Sequence, residues 1–301
     1  MRPRLMGRLI LSFVVAGCLA IGLFWLLTAP ERSDAALLSG LEGDARRGEA
    51  VFWAGGCASC HAAHEATGDD RLVLSGGRAF ASDFGTFIAP NISPHPEAGI
   101  GGWSALAFVD AMRNGVSPDG RHYYPAFPYT AYRLATVQDM LDLRAFIDTL
   151  PPSAQPSLPH DVGFPFSIRR LVGVWKRLHM PDGFAVSGPL DPAAERGRYL
   201  SEALAHCAEC HTPRNRLGGL DRDLWMAGAP NPNGEGRIPG ITPDRLSWSE
   251  ADIAAYLRDG FTPDFDSAGG HMADVIRNLA MLEDADRAAI AAYLKALPVS
   301  E

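Results

Sequence analysis

The sequence has few cysteines, and it has no long basic segment beyond its extreme N-terminus. Of the five cysteines in 301 residues, four belong to two short motifs, and the fifth, Cys18, lies alone in an apolar stretch. No two cysteines therefore remain that could form a disulfide bond. A net charge of −8 without long basic runs argues against a nucleic-acid-binding protein.

One long uncharged run, Leu9–Ala29, follows the basic residues Arg2, Arg4 and Arg8. Its length matches the ~20 residues that a helix needs to cross a bilayer. Basic residues ahead of such a helix favour a cytoplasmic N-terminus, with the rest of the chain outside. We therefore expect residues 1–36 to be an N-terminal transmembrane anchor in the cytoplasmic (inner) membrane, with everything after it facing the periplasm.

Two alternatives to an uncleaved anchor remain. A signal peptide could be cleaved near Ala35 or Ala36, although the apolar run is longer than a typical signal core. Val15–Cys18 also resembles a lipoprotein cleavage motif, although the residues after Cys18 stay apolar where a lipoprotein usually turns polar. The anchor and the lipoprotein both leave the protein on the membrane. Residues 31–43 are predicted to be a short polar tether.

The two cysteine motifs share one pattern, CASCH at Cys57–His61 and CAECH at Cys207–His211. In covalent haem attachment, two thiols add across the vinyl groups of a haem, and the histidine that follows ligates the iron. A zinc site would need four ligands, and a thioredoxin-like pair does not require the histidine. The sequence therefore predicts two haem c groups, attached through Cys57, Cys60, Cys207 and Cys210, with iron bound by His61 and His211.

The motifs belong to an internal repeat, because other landmarks recur in the same order. Gly115, for example, returns 145 residues later as Gly260, and the two haem motifs are 150 residues apart. We expect two domains, residues 37–151 and 191–301, each of a normal size for an independent core. Residues 152–190 are predicted to be a proline-rich linker between them.

Each repeat is predicted to consist of a first helix before the haem motif, a middle helix and a last helix. Gly48 and Gly197 on the first helices would let another helix cross closely. Predicted helix-end residues are the C-terminal caps Gly115 and Gly260 and the capping box of Ser247 with Glu250. Apolar residues at i, i+3, i+4 and i+7 predict a buried stripe on each last helix, formed by Leu143, Phe146, Ile147 and Leu150 and by Ile290, Tyr293, Leu294 and Leu297.

Further segments of the chain support a family assignment, namely Gly85-Thr86-Phe87, Pro90-Asn91-Ile92-Ser93, Gly115-Val116, Asp119-Gly120, Tyr124–Tyr129 and Phe164–Trp175. With them the chain resembles the dihaem cytochrome c subunits of membrane-bound bacterial alcohol, sugar and aldehyde dehydrogenases. The resemblance implies an all-α fold of two tandem class I cytochrome c domains after an N-terminal transmembrane helix. It also implies an electron carrier rather than an enzyme, taking electrons from a donor dehydrogenase to quinone, a cytochrome or an oxidase.

In such a fold the sixth iron ligand is usually a methionine before the last helix, and Met272 lies there in the second repeat, beside the competing His271. The offset of 145 residues places Phe127 at this position in the first repeat, and phenylalanine cannot ligate iron. The first iron is then five-coordinate or takes another ligand, or the alignment is shifted.

Candidate ligands elsewhere are Met112, His64, His95 and His122. An open iron would suit an alternative function, that of a dihaem enzyme with peroxidase-like or other small-ligand chemistry.

The resemblance also implies how the haem histidines are held. The carbonyls of Pro90 and Pro239 are expected to accept hydrogen bonds from His61 and His211.

The linker contains apolar and basic residues at helical spacing from Ile168 to Leu178. The amphipathic helix predicted there either fastens the two domains together or offers a basic contact to the membrane surface or the partner enzyme.

Overall fold

The computed structural model describes residues 3–232 and 236–299. Arg2 of the basic flank, and Ser300 and Glu301 at the end of the second predicted domain, lie outside them. The helices are α1 (Pro3–Leu27), α2 (Ala45–Ala54), α3 (Cys57–His61), α4 (Ala105–Asn114), α5 (Tyr129–Tyr132), α6 (Val137–Ile147), α7 (Leu171–His179), α8 (Pro192–Arg198), α9 (Ala208–His211), α10 (Glu250–Asp259), α11 (Gly270–Leu279) and α12 (Asp284–Ala296). A π-helical turn, Tyr199–Leu204, continues α8.

Two short antiparallel sheets accompany the helices, and the sequence analysis did not predict them. They pair β1 (Ala79–Ser82) with β2 (Gly85–Ile88) and β3 (Ala229–Pro230) with β4 (Arg237–Ile238). Strands of two to four residues are too short for an alternating apolar pattern to be recognised. Each hairpin follows a haem motif and leads the chain to the proline that contacts the haem histidine.

The first and last helices of each domain cross at the predicted glycines. A Cβ atom at Gly48 would lie 1.9 Å from the backbone oxygen of Asp142, and one at Gly197 would lie 1.8 Å from that of Ala289. Only glycine permits these crossings of α2 with α6 and α8 with α12. The predicted stripes of the last helices lie in the core, where every member is buried except the partly buried Phe146.

The middle helices α4 and α10 end at Gly115 and Gly260, whose φ angles of 59° and 79° confirm the predicted caps. The predicted capping box of Ser247 with Glu250 is wrong.

Helix α10 is capped two residues later than predicted. Ser249 accepts from the Asp252 N–H, and the Asp252 carboxylate accepts from the Ser249 N–H, at 3.2 and 3.1 Å. Both serines begin a Ser-x-x-acidic pattern, so the pattern alone does not choose between them. The later start leaves Trp248 outside the helix, where its ring packs edge-on against Tyr256 at 5.1 Å.

Helix α1 contains an apolar stretch of 18 residues, Ile10–Leu27, with a mean hydropathy of 2.5 and no residue buried by the rest of the protein. By length and composition this helix can cross a membrane. No other helix within residues 3–232 and 236–299 meets these criteria.

The segment after α1 is docked on the first domain rather than forming the tether that its polarity predicts. The Asp110 carboxylate is almost completely buried and accepts from the Ser33 backbone N–H at 2.7 Å. The Arg32 guanidinium lies 3.8 Å from the same carboxylate, and Asn114 donates to the Ser33 hydroxyl at 3.0 Å. A buried carboxylate needs such donors. The polar residues of this segment therefore hold the end of α1 against the domain.

Helix α7 of the linker contacts both domains. Its buried Lys176 donates to the Asn114 and Gly115 carbonyls of the first domain at 2.5 and 2.7 Å. The Trp175 indole N–H donates to the Leu217 carbonyl of the second domain at 2.8 Å. The helix therefore fastens the domains together, which is the first of its two predicted roles.

Candidate haem sites

Each haem motif follows a left-handed turn. Gly56 (φ 66°) precedes Cys57, and His206 (φ 43°) precedes Cys207. The helical turns that follow, α3 and α9, place the two cysteines of a motif three positions apart, and residues at this spacing are neighbours on one face. Both thiols of a motif therefore face the same side, as attachment to one haem requires.

The histidine of each motif is held by a proline carbonyl, which confirms the prediction. The Nδ1–H of His61 donates to the Pro90 oxygen at 2.8 Å, and that of His211 donates to the Pro239 oxygen at 2.7 Å. This bond fixes the ring and leaves Nε2 as the nitrogen for iron. Burial lowers the pKa of both imidazoles, which favours the neutral form that binds metals.

A glycine in each domain completes this arrangement, and the sequence analysis missed both. The N–H groups of Gly76 and Gly228 donate to the carbonyls of His61 and His211, each at 2.8 Å. Both glycines have positive φ, 74° and 92°, and lie against the proline segment. The 152-residue spacing between them is a signal that a glycine-by-glycine comparison of the repeats would have found.

We expect Gly76→Ala to loosen the first haem histidine. The added Cβ would lie 2.5 Å from the carbonyl carbon of Pro90, so the acceptor of the His61 hydrogen bond must move. The strain of the left-handed backbone adds about 1–2 kcal/mol. Together these should lower the free energy of unfolding by roughly 2–4 kcal/mol and shift the first haem's reduction potential, as measured by denaturant unfolding and redox titration.

Gly77→Ala is the matched control, because Gly77 also has positive φ (95°) but its Cβ would meet only the flexible Gln155 side chain, at 3.5 Å. It should show the backbone strain with no shift in potential. Equal effects of the two variants on the potential would contradict the assignment of Gly76.

The motif thiols do not have the chemistry of a redox pair. Burial raises the pKa of Cys57 to about 12, that of Cys60 to about 11 and that of Cys207 to about 12. A reactive redox cysteine needs a lowered pKa instead. Among the residues with described positions, no group of three or more His, Cys, Asp or Glu side chains could hold a metal ion. These side chains fit thioether attachment to a haem better than a zinc or dithiol site.

The register of the repeat just before this position agrees with the offset that pairs Phe127 with Met272. An isolated β-bridge pairs Val116 with His122. The equivalent bridge in the second domain pairs Phe261 with Ser267, and each of these residues lies 145 positions after its counterpart. Met272 lies in the first turn of α11, partly buried against the core.

The competing candidate beside Met272, His271, is exposed and directs its Nδ1 towards the Arg78 guanidinium of the first domain, 3.4 Å away. This contact leaves Met272 as the better candidate for the second iron.

In the first domain an aromatic cluster occupies the corresponding place. The Phe127 ring lies 6.0, 6.3 and 5.7 Å from the rings of Tyr123, Tyr129 and Tyr132. The Tyr132 hydroxyl donates to the Gly55 carbonyl at 2.7 Å, just before the first motif. An apolar ring therefore stands where the second domain has a thioether.

The other candidate ligands of the first iron have local structural contacts. Met112 is buried in the core on α4. His122 donates from Nε2 to the Thr28 carbonyl at 2.9 Å, and His95 accepts from two backbone N–H groups of its own loop. His64 is exposed to solvent. These contacts are typical of core and surface residues rather than of iron ligands.

Each haem motif contacts the other domain. The contacted segments follow Met272 in the second domain and Phe127 in the first. Ser59, inside the first motif, accepts from Asn278 of α11 at 2.6 Å, and Arg78 pairs with Asp274 of α11 at 2.8 Å. Conversely, Glu209, inside the second motif, accepts from Thr130 of α5 at 2.8 Å. The two motifs therefore lie on either side of one shared interface.

Comparison with known proteins agrees with this architecture. The cytochrome c family model matches residues 45–151 and 194–298. A diheme cytochrome c-type protein of Cereibacter sphaeroides is 58% identical over 288 residues, which cover 96% of this chain and 96% of that protein.

Two dehydrogenase subunits are also similar to the chain. The fructose dehydrogenase cytochrome subunit of Gluconobacter japonicus is 38% identical, and the alcohol dehydrogenase (quinone) cytochrome c subunit of Gluconacetobacter polyoxogenes is 34% identical, each over 84% of this chain. The matches span 52% and 56% of those subunits, so this chain corresponds to about half of each.

Proposed function

The chain belongs to the cytochrome c family, and we propose that it relays single electrons from a partner dehydrogenase to the respiratory chain. It is an electron-transfer protein with two covalently bound haem c groups, and each bound haem supplies an iron that gains and loses one electron. The observation that carries the proposal is that one haem-binding arrangement occurs twice, on the two sides of a shared interface.

The residues of the two sites have separate roles in this proposal. The cysteines would attach the haems, each histidine would bind one iron, and a methionine would be a further ligand of the second iron. The assignment is Cys57, Cys60 and His61 in domain 37–151, and Cys207, Cys210, His211 and Met272 in domain 191–301. The proline carbonyls support it, because they orient both imidazoles in the same way.

The contacts between the domains keep the two sites at a fixed separation. The Ser59–Asn278 and Thr130–Glu209 hydrogen bonds lie beside the two motifs, so neither motif can move far from the interface. Electrons can then pass between the sites without a rearrangement of the domains.

The donor is proposed from the names of the relatives, which include cytochrome subunits of fructose and alcohol dehydrogenases. By extension, this chain receives electrons from a dehydrogenase and delivers them to quinone, a cytochrome or an oxidase. The relatives named above give no support to the dihaem enzyme alternative.

The location is proposed from α1. Its apolar stretch fits a membrane anchor, and the basic residues before it favour a cytoplasmic N-terminus. This orientation places the haem domains on the periplasmic side of the inner membrane.

The relay is tested with the full-length dihaem protein in lipid nanodiscs. Less than one equivalent of a one-electron reductant is mixed with the oxidised protein, and both haem spectra are followed in a stopped-flow instrument. We expect the electron to settle on one haem and then pass to an added ferric cytochrome, which accepts one electron. Failure of the two haems to exchange electrons would contradict the relay. Turnover of added peroxide would favour the enzyme alternative instead.

Loss of the Arg78–Asp274 ion pair is expected to weaken the domain interface. Both side chains are only 15% exposed, and Arg78→Ala would leave the Asp274 carboxylate with the more exposed Arg277 as its remaining ion-pair partner. We expect a loss of roughly 2 kcal/mol in unfolding free energy and slower electron exchange between the haems. Arg121→Ala is the comparison, because it removes an ion pair with Asp119 in which both side chains are more than half exposed. It should lower the free energy of unfolding by at most about 1 kcal/mol. A double-mutant cycle with Asp274→Ala would contradict the pair's role if the coupling energy were zero.

A further inference from the structure

The linker helix α7 lies against the end of α1, where the apolar stretch stops. Arg170 donates to the Thr28 hydroxyl at 2.8 Å and to the Trp25 carbonyl, and its guanidinium lies 4.4 Å from the centre of the Trp25 ring. Arg177 donates to the Leu27 carbonyl. The last carbonyls of a helix have no partner within the helix, so these arginines satisfy them. Helix α7 is therefore held level with the last turn of α1.

One face of α7 is apolar and exposed. Leu171, Val174 and Leu178 are all exposed, Leu178 by 63%. Because successive helical residues are about 100° apart, these three side chains adjoin the face that carries Arg170 and Arg177. The opposite face is buried against the first domain. Further exposed apolar residues precede the helix, namely Phe164, Phe166 and Ile168.

The charged residues of the linker segment that contains this face have one sign. Four basic residues lie between Asp161 and Asp182, and no acidic residue lies between those two aspartates. The four are Arg169, Arg170, Lys176 and Arg177, of which Arg170 and Arg177 adjoin the exposed face, whereas Lys176 and Arg169 donate to carbonyls of the first domain. Each guanidinium has five N–H donors in a planar group, so an arginine that contacts α1 keeps donors for a second partner.

We propose that this surface of α7, formed by Leu171, Val174 and Leu178 with Arg170 and Arg177, lies in the lipid headgroup region of the bilayer that α1 crosses. The apolar side chains reach the acyl chains, and the guanidinium groups pair with lipid phosphates. The inference rests on the membrane anchoring proposed above. Its support is the continuity of this surface with the end of the apolar stretch, together with its charge.

Such a contact would give the haem domains a fixed orientation towards the membrane. A single transmembrane helix on a free tether would let the domains turn, whereas here the segment after α1 is docked through Ser33 and α7 adds a second contact. The donor and the acceptor would then meet the two haem sites from defined directions.

The test uses spin labels on the full-length dihaem protein, with the haems reduced, in nanodiscs of phosphatidylcholine and phosphatidylglycerol. Single cysteines are introduced by Leu178→Cys, Leu19→Cys or Phe265→Cys in a Cys18→Ser background. Residue 19 lies within the apolar stretch of α1, and Phe265 is 91% exposed on the second domain. Collision rates of each label with oxygen and with a water-soluble nickel complex are measured.

The label at position 178 should collide with nickel several-fold less often than the label at 265, and more often with oxygen. A label at 178 that is as accessible to nickel as the label at 265 would overturn the proposal, because no lipid then covers α7. The label at 19 separates the two failures. If it is shielded, the anchoring stands and only the contact of α7 fails, whereas an exposed label at 19 overturns both.

Discussion

Replacing Cys57 and Cys60 with serine is expected to yield a protein with one haem c instead of two. A serine hydroxyl does not form the thioether link, so His61 alone would have to hold the first haem, and that bond is lost on denaturation. The mass of the denatured variant should be lower by one haem. Serine at Cys207 and Cys210 should remove the other haem and leave the first attached. Either loss should stop transfer between the two sites.

Cys18→Ser is the control for these variants, because Cys18 lies in α1 and outside both motifs. It should retain two haems. A Cys57→Ser/Cys60→Ser protein that still has two covalent haems after denaturation would refute the assignment of the first motif.

Exchanging the residues at the two ligand positions should exchange the properties of the two irons. Met272→Phe gives the second domain the residue that the first domain has at this place. We expect the charge-transfer band of methionine-ligated ferric haem to disappear, and one reduction potential to fall by about 0.1–0.2 V, a modest part of the ~0.8 V that axial ligands span. The reverse change, Phe127→Met, should create such a band and raise the other potential. Optical spectra and redox titration measure both effects.

Met112→Leu serves as the comparison, because Met112 is a buried residue of α4 and should leave the band unchanged. A band that survives in Met272→Phe would show that another methionine ligates the iron. The placement of Phe127 would then need revision as well.

The haem motifs were the easiest part of this protein to predict, because their chemistry is local. Two thiols and a histidine within five residues can bind one haem regardless of how the rest of the chain folds. The proline contacts of His61 and His211 were also predicted, through a resemblance carried by short segments around Pro90 and Pro239. The supporting glycines, Gly76 and Gly228, were not, because a lone glycine in a loop has many possible reasons to be there.

Local patterns give a wrong prediction where two of them compete, or where the polarity of a segment is considered without its tertiary contacts. Ser247 and Ser249 both begin a capping pattern, and the packing of Trp248 against Tyr256 accompanies the later start. The polar residues after α1 were predicted to be a tether because they are polar. Arg32 and Ser33 are instead partners of the buried Asp110, which lies far along the chain.

The sequence by itself determined the number of haem c groups, the residues predicted to attach them and the presence of an apolar helix, since each depends on neighbouring residues. Only the tertiary structure decided which elements meet. The contacts of Ser59 with Asn278, of Glu209 with Thr130 and of Arg170 with Thr28 join residues that are 79 to 219 positions apart. Such pairs form only when the two domains and α1 have packed, and no local pattern in the chain specifies them.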